Sequence, residues 1–121
     1  MRDIKFRAWD KLRKCWIKWS EIKELVLWEL MEDDRYDVVE YSGLKDTNGM
    51  EIYEGDLLRV YEYFQYENYE REIEYTSVVE FIESGFLVTE PNGTQSPLAC
   101  FHNPDTGIPL FEVEVIGHIY K

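Results

Sequence analysis

"YSGLKDTNGMEIYEGDLLRV", residues 41–60, decides how this chain folds. Asp46, Asn48 and Gly49 suit a tight turn, because asparagine tolerates and glycine favours positive φ. Glu54-Gly55-Asp56 supplies a second reversal directly before a β-rich run. Apolar residues alternate on either side of these turns, which predicts strands entering and leaving a sharp corner. The corner has a functional reading too, since Asp46, Asn48 and Glu51 are oxygen ligands of the kind calcium takes. An EF-hand loop needs further acidic positions and a closing glutamate that are missing here, so the turn reading is preferred.

Outward from the corner the same pattern recurs. In "IKFRAWD", 4–10, Ile4, Phe6 and Ala8 point one way while Lys5, Arg7 and Trp9 point the other, as in a half-buried strand. "DKLRK" turns the chain, and "CWIKW" resumes the alternation as a hairpin partner. Residues 20–32 fit two periods. Ser20 suits a helix cap, with Ile22, Leu25, Val26 and Glu29 at helical spacing, but the window also alternates, and the reading adopted is strand or mixed structure. "YDVVEYSG", "DLLRVYEYF", "REIEYTSVVEFI", "FLVTE" and "LFEVEVIGHIY" all read as strands, separated by turns at "QYENYE", Ser84-Gly85, "PNG" and "NPDTGIP". "QYENYE" is read as a mobile loop or the tip of a long hairpin. The expectation is one domain over 1–121, mainly β: a compact β-barrel-like domain of short antiparallel strands with long hairpins and little helix.

Composition narrows the function classes. The 121 residues include 25 acids and 13 lysines and arginines, for a formal net charge of −12. Hydrophobic residues make up 45%, enough for a packed core without disulfide or metal staples. The charge is uneven. Residues 1–24 hold eight cations and four anions, a net of +4, which leaves −16 on the remainder. Regions of opposite sign attract each other within one fold or attract a neighbour's opposite region. Charges recurring from Arg2 onward do not resemble a signal peptide, and the apolar window 25–31 is far too short to cross a bilayer. Cys15 and Cys100 lie too far apart in a two-cysteine chain to suggest a secreted disulfide framework. A soluble, cytoplasmic protein is expected, with no membrane partner.

Chemistry-bearing groups are sparse. Cys15, Cys100, His102 and His118 would make a Cys2His2 set by type, but Cys100-Phe101-His102 lacks the knuckle spacing of zinc sites. One buried cysteine, one on a strand, and two surface or capping histidines are expected instead, with no metal and no cofactor. Cys100 and His102 would share a strand face, yet no oxyanion loop accompanies them. Glu54 and Asp56 could act as acid and base, although a solvated turn is the simpler reading. No catalytic residue is assigned and no enzyme is expected.

Two surfaces suit binding. Lys5, Arg7 and Trp9 on the outer face of the first strand, with Trp16, Lys18 and Trp19 nearby, interleave cations and aromatic rings as base-stacking sheets do. The net charge opposes nucleic acid, so pairing of these cations with the acidic remainder is preferred. The run "VYEYFQYENYEREIEY", 60–75, offers tyrosines of the kind enriched at protein interfaces. Arg7, Trp9, Lys18, Trp19, Tyr63 and Tyr66 are therefore the candidate partner-binding residues.

The blocks Arg2–Asp10, "YSGLKDTNGMEIYEGDLL" and the terminal "EVIGHIY", in that order and across nearly the whole chain, resemble the YopX family of phage and prophage proteins. The resemblance implies a β-rich, compact protein prone to self-association, encoded by phages and integrated elements, with no established biochemical activity. Divergence from the family pattern is expected around 62–72. His118 stands where relatives commonly carry a neutral polar residue such as asparagine, so no histidine-dependent role is implied there. The function expected is that of an accessory protein acting by protein–protein interaction, as a homo-oligomer or on a host or phage protein. The alternatives are an acidic decoy that occupies a host nucleic-acid-binding enzyme, and nucleic-acid binding through the basic-aromatic N-terminal hairpin.

Overall fold

The computed structural model describes residues 4–22, 27–83 and 85–121, with the side chains of Phe64 and Tyr66 excepted. The chain is mostly β, with antiparallel strands curled into half a barrel beside smaller sheets and two short helices. A four-stranded sheet has the order β2-β1-β3-β4, from β1 (Phe6–Asp10), β2 (Cys15–Ile17), β3 (Tyr36–Lys45) and β4 (Glu51–Tyr53). A three-stranded sheet has the order β10-β5-β6, from β5 (Asp56–Tyr66), β6 (Tyr69–Val78) and β10 (Glu112–His118). The third sheet, β7-β8-β9, comprises β7 (Glu80–Ile82), β8 (Gly85–Thr89) and β9 (Gln95–Pro97).

The corner at 46–56 joins these sheets. Asp46 is 2% exposed, and its carboxylate accepts the N–H of Asn48 and Met50 on one oxygen and that of Val115 on the other. Thr47 completes the clamp: its N–H donates to the Val113 carbonyl and its Oγ1 accepts the Val113 N–H. A carboxylate already holding three backbone donors organises a turn, and this is the part Asp46 plays in place of the calcium reading. Gly55, at φ +85°, donates to the Val79 carbonyl, while its own carbonyl accepts from Ile119. Two turns thus fasten β4, β5, β6 and the end of β10 at one place.

Side-chain alternation sorts the core into three parts, the smallest of them Val39, Tyr41 and Tyr53 between β3 and β4. Leu58 and Val60 of β5, Val113 of β10, and Phe86 and Val88 of β8 meet Ile52, Val79, Leu98 and Phe101 in the main cluster. Ala8, Ile22 and Leu30 form a second cluster, in which α1 (Trp19–Ile22) covers β1 and α2 (Leu27–Glu32) covers the neighbouring β3. The window 20–32, read from sequence as strand or mixed, is helical at both ends; residues 23–26 lie outside the described residues. Helical spacing won because Leu27 and Leu30, three apart, both pack into the cluster around Ala8, whereas strand alternation would turn them to opposite faces. The "QYENYE" segment is the tip of an unbroken hairpin, with β5 and β6 paired from Leu57↔Val78 out to Tyr66↔Tyr69. Among the described residues no helix is long and apolar enough to cross a membrane.

Candidate functional site

Arg7 is the residue around which the most chemistry gathers. Strand alternation turns it away from the helices and onto the opposite face of the sheet. There its guanidinium carbon lies 3.9 Å from the centroid of the Trp16 ring and 4.2 Å from that of Tyr53. A cation between two ring faces meets negative quadrupole on both sides. Nη2 of Arg7 donates to Oδ1 of Asp56 at 2.5 Å, and Oδ2 of Asp56 accepts the Tyr53 N–H at 2.9 Å. Nε of Arg7 is buried without a hydrogen-bond partner. Asp56 is 1% exposed; burial raises its carboxyl above the ordinary value despite the opposing Arg7 charge and the Tyr53 N–H. Burial, with Glu51 adding to it, pushes the Tyr53 phenol up to about 12.

The C-terminal segment closes over the same face. Trp9, paired across strands with Trp16, packs against His118 at 4.7 Å between ring centroids, and Trp16 meets His118 at 5.1 Å and Tyr120 at 5.7 Å. Tyr120 is anchored at both ends: its N–H donates to Nδ1 of His118 and its hydroxyl to the Glu54 carbonyl. The face that sequence alternation assigned to the outside of the first strand is therefore covered. Trp9 is 8% exposed, because residues 118–120 return across it. What stays open is a cleft of about 520 Å³ beside Arg7, walled by Trp16, Trp19, Tyr53, Lys5 and Lys18.

A family model described as YopX protein matches residues 5–121. The chain belongs to the YopX family. No curated protein matches it. Among solved structures it is similar to protein EF1440 from Enterococcus faecalis, with a TM-score of 0.60 and 19% identity over 99% of this chain and 95% of that one. That likeness supports the fold.

Of the six residues marked from sequence in this YopX chain, the cleft gathers Arg7, Lys18 and Trp19, with Trp9 buried behind it. Tyr63 stands 42% exposed on the β5–β6 hairpin, in a different region; the Tyr66 side chain lies outside the described residues. Sequence reasoning passed over Tyr53 as a partner of Arg7, and over His118 and Tyr120 as partners of Trp16. Nothing in their spacing betrays a contact made by chain segments more than forty residues apart.

Several chemical readings are corrected by burial. Asp56 is no solvated acid; it is the buried partner of Arg7, since the turn folds inward under Tyr120. His102 is 3% exposed and is the capping histidine of the two alternatives expected, closing the turn at Leu98–Phe101, with its ring nitrogens 3.1 and 2.8 Å from the carbonyl oxygens of Leu98 and Lys45. Cys15 and Cys100 are both exposed, free thiols, whereas one was expected to be buried. Cys100 sits in a single 3-10 turn, Leu98–Phe101, so it and His102 do not share a strand face. Among the described residues, no three His, Cys, Asp or Glu side chains are grouped so as to hold a metal.

The charge asymmetry also resolves into named pairs. Lys5 bonds Glu51 at 2.8 Å, Arg7 bonds Asp56, and Lys11 lies 3.4 Å from Asp37. These pairs tie the basic N-terminal strand to the acidic remainder of the same chain. Acids dominate elsewhere: Glu70, Glu72 and Glu74 of β6 share a face, beside Glu112 and Glu114 of β10 across Tyr61 and Arg59. Arg59 pairs with Glu74 and Glu114 at that face's inner end.

Proposed function

We propose that this YopX-family chain is a phage or prophage accessory protein of the host cytoplasm that works by binding proteins, copies of itself among them, and not by catalysis. The observation that carries this reading is the cleft beside Arg7. Its aromatic walls offer large contact area at small rotamer cost, and Lys18 at its edge has no ion pair among the described residues. An acidic segment with an apolar or aromatic residue matches such a surface. The outer face of the β5–β6 hairpin of this same chain, with Tyr61 and Tyr63 beside Glu74 and Glu72, has that composition. Contact of one copy's cleft with another copy's hairpin is head-to-tail, so it closes as a ring or extends.

Sedimentation velocity at low and high salt tests self-association. Concentration-dependent assembly that weakens modestly with salt and is lost on Lys18→Glu with Trp19→Ala supports the reading. A sharp monomer at micromolar concentration under both conditions overturns it. The contiguous carboxylates of β6 and β10 favour a second reading, an acidic decoy for a host nucleic-acid-binding enzyme. That reading expects charge reversal at Glu70, Glu72 and Glu74 to abolish a host interaction while leaving the cleft variants active. Nucleic acid bound in the cleft is the third, and an oligonucleotide titration followed by Trp16 and Trp19 fluorescence distinguishes it.

A further inference from the structure

The inward face of the β5–β6 hairpin runs on after the core ends. Positions 58, 60 and 62 of β5 share that face; Leu58 and Val60 are core residues, and the next inward side chain is Glu62. Ile73 stands across from Glu62, and Tyr75 across from Val60. Glu62 is 6% exposed, and among the described residues it has no hydrogen bond or ion pair. The Tyr75 hydroxyl is likewise buried with no hydrogen-bond partner. Both line a cavity of about 360 Å³, with Arg71 and Ile73 on the hairpin side and Glu90 and Pro91 on the turn after β8.

A phenol stranded out of water costs stability unless something satisfies it, and a carboxyl as buried as that of Glu62 keeps little of its own hydration. Burial pushes the Glu62 carboxyl up, the Glu90 charge adds to this, and Arg71 opposes it. Two acids and a phenol converging on one space form an acceptor-rich, negatively biased pocket. Ile73, Pro91 and the Tyr75 ring give it an apolar wall, beside Asn92. A metal ion is poorly served, because no three ligating side chains group together among the described residues.

We propose that this cavity is a binding site for an organic cation: a primary ammonium or guanidinium group on a short apolar stem. The nitrogen donates to the carboxylates of Glu62 and Glu90 and to the Tyr75 hydroxyl oxygen, and the stem lies against Ile73 and Pro91. A free alkylamine and a lysine side chain of a protein share this chemistry. The site lies on a different sheet from the Arg7 cleft and does not depend on the function proposed for it.

The test uses the full chain, isotopically labelled, titrated by NMR with n-butylammonium chloride and, separately, with the peptide acetyl-Gly-Lys-Gly-amide. Sodium chloride at equal ionic strength and sodium butyrate are the controls. Saturable shifts centred on the amides of residues 62, 73, 75 and 90 are expected with a cation and not with the controls. Tighter binding of the amine points to a small metabolite, and tighter binding of the peptide to a protein side chain. Glu62→Gln weakens binding about tenfold or more, the loss expected for a charge-assisted bond, and Tyr75→Phe weakens it a few-fold. Tyr75→Phe keeps the test open if Glu62→Gln does not fold. Arg71→Ala tightens binding by removing a competing cation. Absence of saturable shifts, affinity unchanged in both variants, or loss of binding on Arg71→Ala overturns the proposal; in each case water or Arg71 already serves the pocket.

Discussion

Two buried aspartates, each facing an arginine, behave in opposite ways. Asp10 ends β1 and is 2% exposed; Asp56 begins β5 and is 1% exposed. Arg35 holds Asp10 through Nε and Nη2, both at 2.9 Å, and the N–H groups of Leu12 and Arg13 add two more donors. That carboxyl is lowered to about 2, first by the Arg35 hydrogen bonds. Asp56 receives one arginine nitrogen and one backbone N–H, and burial raises it instead. An ion pair alone does not offset the burial of a carboxyl. The number of donors that replace its lost water decides the direction.

The comparison breaks most visibly if Arg7 is removed. Arg7→Met leaves Asp56 buried with one donor, and a loss of roughly 3–5 kcal/mol in unfolding free energy is expected. Arg35→Met is expected to cost less, because Asp10 keeps its two backbone donors and Arg35 itself reaches water, at 33% exposure. Chemical denaturation of the two variants side by side checks the order; equal losses would mean that backbone donors count for little.

That contrast was only half legible in the sequence. Alternation in 4–10, in 56–66 and in the terminal strand fixed which residues share a face, and the turn residues of 46–49 and 54–56 marked the reversals. Helix at 19–22 and 27–32 was ambiguous, because "IKELVLWEL" satisfies both periods and only the position of Ala8 beneath it decides. Arg7, Lys18 and Trp19 were legible as members of one surface. The partners of Arg7 were not, since Asp56 and Tyr53 reach it through tertiary closure, which leaves no local period. Asp10 and Asp56 look alike in one dimension, each beside a turn.

The pH dependence sharpens the comparison next. The lowered Asp10 contributes stability that is present above the ordinary carboxylate value of 3.8 and is lost as pH falls through about 2. The raised Asp56 works the other way: its contribution is full below 3.8 and is lost as pH rises through the higher folded value. Urea midpoints measured from pH 2 to 7 should therefore lose their acid-side fall in Asp10→Asn and their decline above 3.8 in Asp56→Asn. The same slope change in both variants would contradict the opposite signs.

A smaller effect tests the turn that delivers Asp56. Gly55 has φ +85°, and a Cβ there would stand 2.1 Å from the Tyr120 hydroxyl; Gly49 has φ +84° with nothing within 4 Å. Gly49→Ala should lose roughly 1–2 kcal/mol from backbone strain alone. Gly55→Ala should lose more and also disturb the Tyr120 environment, visible in near-UV circular dichroism. Equal losses would show that Tyr120 moves aside freely and does not seal the Arg7 site.

The smallest effect belongs to an ion pair on the same sheet that escapes burial. Lys5 donates to Glu51 at 2.8 Å, but the two side chains are 33% and 32% exposed. Water can replace either partner, so neither is stranded when the other is removed, and salt screens their attraction. Lys5→Met is expected to change stability by about 0–1 kcal/mol at low salt and by less at high salt. Lys5 also lies 5.4 Å from the Tyr41 ring centroid, a contact that the methionine side chain preserves in its apolar part. Denaturation of this variant at two salt concentrations, beside Arg7→Met, compares one kind of charge pair at two depths. A salt-independent loss as large as that of Arg7→Met would mean that depth is not what separates them, and the account of Asp56 given by burial would fall with it.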